Sequence, residues 1–205
     1  MITLSPTYTD IPNCQLKIGN ASHWIKQSPD GASLVQATYT DPYQQAHFLA
    51  QSFHESDQFN STLEYDDGTG YDPGNHPRAL INGNTVVGDG PKYKGKAIIQ
   101  LTWKKAYIEY GNFVGKDFVN NPWLIAGDMY SAIDSACWFW RHKGAVSRRY
   151  NVNGDVNILI ANDRDNATLV TTTVNGAGKK HLKERKALYE AIKRELGLQP
   201  GVHLC

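Results

Sequence analysis

The chain has 205 residues, a formal net charge of +1, 40% hydrophobic and 20% charged residues, and 11% aromatics. That length supports one substantial core burying roughly 70% of the unfolded surface, and the near-neutral balance gives no electrostatic footprint for nucleic acid or an anionic membrane. Cys14, Cys137 and Cys205 are odd in number and far apart, which argues against a disulfide framework and for a reducing compartment.

In chain order, the opening Met1 to Pro6 lacks the basic start and apolar run of a signal peptide, and no apolar stretch is long enough to span a membrane. The expectation is a soluble protein made in the cytoplasm, where the glycosylation patterns at Asn20, Asn60 and Asn166 are chance matches. A single domain over 1–205 is expected, with 1–40 an N-terminal arm packed on it. Pro6, Pro12, Pro29 and Gly31 leave room there for at most a short helix around Ile18 to Gln27. Asp41-Pro42-Tyr43-Gln44 starts a helix, because Asp can cap, Pro suits the first helical position and Gln44 follows three residues after the cap. It is predicted to run to about Phe59, with Ala46, Leu49, Ala50 and Phe53 as the core face and Phe48, Ser52, Glu55 and Phe59 as a neighbouring stripe. From Leu63 to Lys96 the chain is rich in Gly, Asp, Asn and Pro, a long irregular excursion of the kind that carries function.

A short extended segment ends at Thr102, and period-two geometry puts Gln100 and Thr102 on one face and Ile99 and Leu101 on the other. A helix from Trp103 to about Tyr110 stops at Gly111, and Asn121-Pro122 marks a turn before a stronger helix from Asp128 to His142. In that helix Ala132, Ile133, Ala136, Cys137 and Trp140 share a face, so Trp138-Phe139-Trp140 reads as core before sugar platform. Gly144 to Gly154 reads as a connection, with the Asn151 to Asp155 run a turn and helix cap. Helical patterns return at Val156 to Ala161 and Asn166 to Val174, and Asn175-Gly176 stops the chain. The final helix, Lys180 to Leu196, turns Leu188, Ile192 and Leu196 inward and a basic face to solvent. The class is mainly α with a minor short β element.

Two carboxylates stand out. Glu55 lies among Phe48 and Phe59, and an apolar wall favours a protonated acid; Glu64 enters a polar loop beside Asp66 and Asp67, where a carboxylate stays ionised and activates water. An acid and a base in contrasting settings are what inverting glycoside hydrolysis requires. Other chemistries fit less well. His54-Glu55 lacks the second His of a zinc helix, since position 58 is Gln, the glycines around Gly88 and Gly95 match no nucleotide-binding spacing, and the Asn151 run lacks the terminal Glu of a calcium loop. No cofactor and no metal are expected.

The ordered series Ala46 to Ser56, Glu64-Tyr65, Gly88 to Thr102 (GDGPKYKGKAIIQLT), Ala136 to Trp140, Val174-Asn175-Gly176 and Glu184 to Tyr189 resembles the family 19 glycoside hydrolases, the chitinases and chitinase-like lysozymes of bacteria and phages. The resemblance covers about residues 42–196. It implies a lysozyme-like, mainly helical fold with a cleft between two lobes. Glu55 resembles the family's general acid, Glu64 its general base and Thr102 the Ser or Thr that helps hold the attacking water. Gln100 resembles a substrate-binding Gln, Tyr107 a cleft Tyr, Asn175 the Asn of an Asn-Gly turn near the site, and Arg185 a cleft Arg. The pattern departs from the family at Lys96 and Ala97, where Arg and Gly are usual, and at Ala106, where Asn is common.

The expected function is therefore an inverting muramidase that cleaves β-1,4 bonds of bacterial peptidoglycan, as a phage-type endolysin or a secreted antibacterial effector. A chitinase on the same scaffold and a non-catalytic glycan-binding relative are the alternatives. The enzyme is expected to be a monomer that acts in the periplasm or wall of a target bacterium, with no membrane insertion and no nucleic-acid partner. In the effector case an immunity protein guards the producer.

Overall fold

The computed structural model describes residues 14–17, 23–26, 41–147 and 152–198. The N-terminal arm therefore lies largely outside the described residues. Within it, β1 (Cys14–Lys17) and β2 (His23–Lys26) pair antiparallel with Cys14 opposite Lys26. Where it is described, the helix expected at Ile18 to Gln27 is a strand, because Trp24 and Ile25 favour extended backbone and a facing strand supplies the backbone partners.

The chain divides into two compact units, residues 1–51 with 140–205 and residues 52–139. In the first, α1 (Pro42–Glu55) begins where Asp41 Oδ1 accepts the Tyr43 N–H at 2.8 Å, as the Asp-Pro start predicts. Ala46, Phe48, Leu49 and Ala50 are all buried, while Phe53 of the expected core face is half-buried. Phe48 meets the edge of Trp140 at 5.2 Å, and the Trp140 indole N–H donates to Asn157 Oδ1 at 2.8 Å. Around this pair lie α6 (Val156–Asn162), capped by Asp155, α7 (Ala167–Asn175), capped by Asn166, and α8 (Leu182–Glu195). The expected plain connection is a hairpin of β3 (Ala145–Ser147) and β4 (Val152–Gly154), whose strands are too short to show a period. Gly154 is required there: its φ is 104°, and a Cβ would stand 2.5 Å from the His142 carbonyl.

The inward face of α8 is also turned from the one expected. Tyr189 and Ile192 are buried together with Arg185 and Lys193, while Leu188 and Leu196 are only half-buried. The two cations are tolerated because they have partners: Arg185 Nη1 donates to Gln51 Oε1 at 2.6 Å, and Lys193 pairs with Asp165. Gln51 in turn donates to Thr171 Oγ1 at 3.0 Å.

In the second unit α1 ends at Glu55 and not at Phe59. Ser56 Oγ donates to the Ser52 carbonyl and accepts the Phe59 N–H, and Asp57, Gln58 and Phe59 take φ values of 49°, 61° and 64°. This reversal brings the Phe59 ring edge-on to Phe53 at 5.4 Å and buries it. The excursion is irregular as expected, with only a 3-10 turn (Thr69–Tyr71) and the one-turn α2 (Asp89–Lys92). Next, α3 (Lys104–Val114) runs through Gly111, because the Lys116 carbonyl packs where a Cβ would be, and reverses at Gly115, φ 69°. The short α4 (Leu124–Gly127) precedes α5 (Met129–His142), whose start is capped by Asp128. Its Ala132, Ile133, Ala136, Cys137 and Trp138 are buried, and Tyr110 stacks on Phe118 at 5.1 Å and leans on Trp138. Trp138 and Trp140 are thus core, as their spacing predicts. Among the described residues no helix is long and apolar enough to cross a membrane.

Candidate active site in the second unit

Glu64 is placed by short backbone pairings. Leu63 and Leu101 each bridge to Lys96, Glu64 N donates to Gly95 O at 2.9 Å, and Ala97 N donates to Thr62 O at 2.8 Å. The Glu64 carboxylate is then held at both oxygens: Oε2 accepts the Gly95 N–H at 2.7 Å and Oε1 accepts the Tyr71 hydroxyl at 2.7 Å. Each oxygen keeps a lone pair for a further donor. Burial first, then the bond to Glu64 and the charges of Glu64, Asp66 and Glu55, push the Tyr71 phenol far above its usual range, so it remains a donor. Tyr71 is thus a residue on which both candidate carboxylates act. Glu55 itself is half-buried as the last residue of α1.

The extended segment expected before Thr102 is instead a tight turn. Ala97 and Gln100 have φ values of 71° and 56°, which fold the chain back so that Lys96 and Leu101 exchange backbone bonds. Alternation requires consecutive extended residues, and two left-handed ones abolish it. Ala97 stands where the resembled family usually has Gly, and its left-handed backbone shows what glycine offers there. The two polar residues still come together by another route. Thr102 Oγ1 donates to the Gln100 carbonyl at 2.8 Å, and both are half-buried, while Ile98, Ile99 and Leu101 are buried. A Cβ on Gly95 would lie 2.5 Å from Gln100 Oε1 and 3.0 Å from Glu64 Oε2, so amide and carboxylate flank the same glycine. Gln100 Oε1 is buried without a hydrogen-bond partner among the described residues.

Tyr107 is fully buried and donates to the carbonyl of Lys94, the residue before Gly95, at 2.7 Å. Asn175 and Arg185 belong to the first unit. Asn175 ends α7 and accepts the Lys180 N–H at 2.7 Å, and Arg185, 2% exposed, is engaged with Gln51. The structure therefore gathers Glu64, Gln100 and Thr102 into one cluster. Sequence reading missed Tyr71 and the Gly95 N–H. Irregular backbone has no period to reveal either, and Tyr65, another tyrosine of that stretch, is 77% exposed and bonds Asp57 instead.

The remainder of the excursion is tied by polar side chains. Buried Asp72 Oδ1 accepts the Gly88 and Gly90 N–H groups, and buried Asn84 bridges the Tyr71 carbonyl and the Lys104 N–H. Asp89 Oδ2 accepts from Thr85 and Val86, and the carboxylate pairs with Lys104. Trp103, with φ 83°, lies edge-on to Tyr71 at 4.9 Å.

A sequence profile described as chitinase class I, of glycoside hydrolase family 19, matches residues 31–155, more than half of the chain. The chain is similar to a glycosyl hydrolase family 19 domain-containing protein of Haemophilus influenzae, with 29% identity over 136 residues, 54% of this chain and 67% of that protein. It is similar to endochitinase 1 of Theobroma cacao, with 33% identity over 111 residues, 46% of this chain and 32% of that one. It is also similar to inactive chitinase-like protein 1 of Hevea brasiliensis, with 43% identity over 51 residues, 25% of this chain and 16% of that one. The match thus spans about a third or less of these plant relatives. In structure the chain is similar to chitinase C from Streptomyces griseus HUT6037, with a TM-score of 0.58 and 20% identity over 76% of this chain and 73% of that one. A bacterial family 19 chitinase gives 0.56 and 24% identity over 78% and 76%. These likenesses are of fold, and they agree with the mainly helical, lysozyme-like class read from the sequence. The profile match decides the family: this chain belongs to the family 19 glycoside hydrolases.

Proposed function

We propose that the chain hydrolyses β-1,4 bonds of N-acetylated glycans with inversion, and that its substrate is bacterial peptidoglycan. Glu55 protonates the leaving oxygen, and Glu64 removes a proton from the attacking water. The observation that carries this reading is that Glu64 and Thr102 are both tied to the Gly95–Gln100 turn, Glu64 through the Gly95 N–H and Thr102 through the Gln100 carbonyl. The Thr102 proton is committed to the Gln100 carbonyl, so its oxygen faces incoming donors as an acceptor. A water that gives one hydrogen to Glu64 and the other to Thr102 has its lone pair left for the anomeric carbon. Gln100, half-buried and set against the same glycine as Glu64, is the proposed partner of a substrate amide, the group that N-acetyl sugars supply.

Peptidoglycan is preferred over chitin because the resemblance includes bacterial and phage lysozymes and because the cysteine pattern fits a protein folded without disulfides. In this reading the protein is a monomer that reaches the wall as an endolysin or as a secreted antibacterial effector, the latter paired with an immunity protein. Chitin cleavage is the second reading, favoured by the likeness to Theobroma cacao endochitinase 1. The test is mass analysis of the reducing ends released from purified peptidoglycan, run beside chitin oligomers and a Glu64→Gln control. N-acetylmuramic acid reducing ends from the unmodified protein support the proposal. Release from chitin alone replaces peptidoglycan by the second reading, and binding of either glycan without cleavage removes both.

A further inference from the structure

Lys96 is a charged side chain for which the acid–base pair has no use, yet it is 0% exposed. Lysines are almost never fully buried without compensation. Here Nζ donates to the Lys92 carbonyl at 2.9 Å and lies 4.8 Å from the centre of the Trp123 ring and 5.3 Å from that of Tyr107. One hydrogen bond and two aromatic faces take the place of water around the ammonium. Its backbone is the crossing point of the site: Lys96 bridges to Leu63, next to Glu64, and to Leu101, next to Thr102, and directly follows Gly95, whose N–H holds the Glu64 carboxylate.

We infer that Lys96 is a positioning residue: its protonated ammonium, clamped between the Lys92 carbonyl and the faces of Tyr107 and Trp123, fixes the bridged segment that ties the backbone beside Glu64 to the backbone beside Thr102. The inference rests on the proposed hydrolase reading for its kinetic consequence, though not for its structural one. A neutral amine keeps the bulk of the side chain but loses the attraction to both rings and the charge on its hydrogen bond. Loss of the proton therefore loosens the clamp without emptying it.

The groups facing Lys96 set where this happens. Burial first, then the Lys94 ammonium, pull Lys96 down to about 8, against the Glu64 carboxylate, which pulls it up. Lys92 presents its carbonyl to Lys96 while its own ammonium lies over Tyr93, whose ring packs edge-on against Tyr107. The Tyr107 phenol is raised well above its usual range by burial and by Glu64, so it does not compete.

The experiment is the pH dependence of kcat for the unmodified protein, Lys96→Arg and Lys96→Met, with melting temperatures as a fold control. In the unmodified enzyme kcat is expected to decline as pH rises through about 8. Lys96→Arg keeps its charge throughout that range and moves the decline upward by about a unit or more. Lys96→Met lowers kcat about tenfold with KM changed less than about twofold, and its profile is flat there. An alkaline limb identical in Lys96→Arg and the unmodified enzyme overturns the inference.

A second measurement needs no turnover: heteronuclear NMR of the Gly95 Cα–Hα signal, which should move with a midpoint near 8 in the unmodified protein and stay still in Lys96→Arg. A protein that cuts no glycan but shows this transition removes the hydrolase reading and keeps the clamp. A protein that cuts glycan but lacks the transition does the reverse.

Discussion

The helical core of the first unit and the irregular stretch that carries Glu64 are ordered by different means. Around Phe48 and Trp140, helices satisfy their own backbone groups, and apolar side chains fill the space between them. Between Leu63 and Trp103 the backbone has almost no ladder, and Asp72, Asn84 and Asp89 reach in to capture N–H groups or carbonyls one at a time. The first arrangement depends on volume, the second on polar atoms at fixed points. Glu64 belongs to the second, as its proposed role requires, because a carboxylate that is to meet water and substrate cannot be enclosed by hydrocarbon. It is instead held by a phenol and an amide.

The largest expected effect on stability tests the first half of that contrast. Trp140→Ala removes a fully buried ring and strands the Asn157 amide, and should cost about 3–5 kcal/mol in chemical denaturation. If Asp72→Ala proves the costlier of the two, volume is not what separates the regions.

Acid comes next. His47 is wholly buried, stacked on Tyr189 at 3.8 Å with Nε2 on the Arg164 carbonyl, and burial pulls it down to about 4. The folded form thus prefers neutral His47. Its contribution is complete above the unfolded value near 6.5 and is lost as pH falls from there towards 4, by about 3 kcal/mol. In the irregular stretch burial works to raise Asp89, but the Thr85, Val86 and Lys104 bonds together outweigh it and hold the carboxyl below its usual range. That contribution is present above about 4 and is lost only below. Denaturation curves at descending pH should show the His47 slope first, and that slope should vanish in His47→Gln.

Asp72→Ala leaves the Gly88 and Gly90 N–H groups without their acceptor and should cost about 2 kcal/mol. Tyr71→Phe deletes one donor to Glu64 and should cost about 1 kcal/mol in stability while lowering kcat more than it changes KM. Equal loss in both kinetic constants would place Tyr71 in substrate binding and leave the orientation of Glu64 to Gly95 alone.

The two regions also differ in how much of them the sequence discloses. Asp41-Pro42 announces α1, and the spacing of Ala132, Ile133, Ala136 and Trp140 announces the buried face of α5, because helical order is periodic and local. Gly111 misleads, since whether a glycine ends a helix or lets the Lys116 carbonyl approach depends on a neighbour that folding brings close. Glu64, Gln100 and Thr102 are legible as residue types with a task. Their arrangement is not, because the left-handed backbone of Ala97 and Gln100 leaves no mark on a pattern of apolar and polar positions. Arg185 shows the same limit from the other side: the resemblance makes it a cleft residue, and only the folded chain shows its guanidinium buried against Gln51, far away in sequence.

Asp57, Gln58 and Phe59 form, in effect, a turn of the opposite hand from the helix that precedes them. For L residues each such conformation costs about 1–2 kcal/mol, and here burial of Phe59 offsets it. A mirror-image residue has the reverse preference. A semisynthetic chain with D-glutamine at the exposed position 58 should melt higher than the natural one, since the same side chain then rests in its own backbone minimum. Chirality, which the helices of this fold take for granted, becomes at this corner beside Glu55 a quantity that can be adjusted.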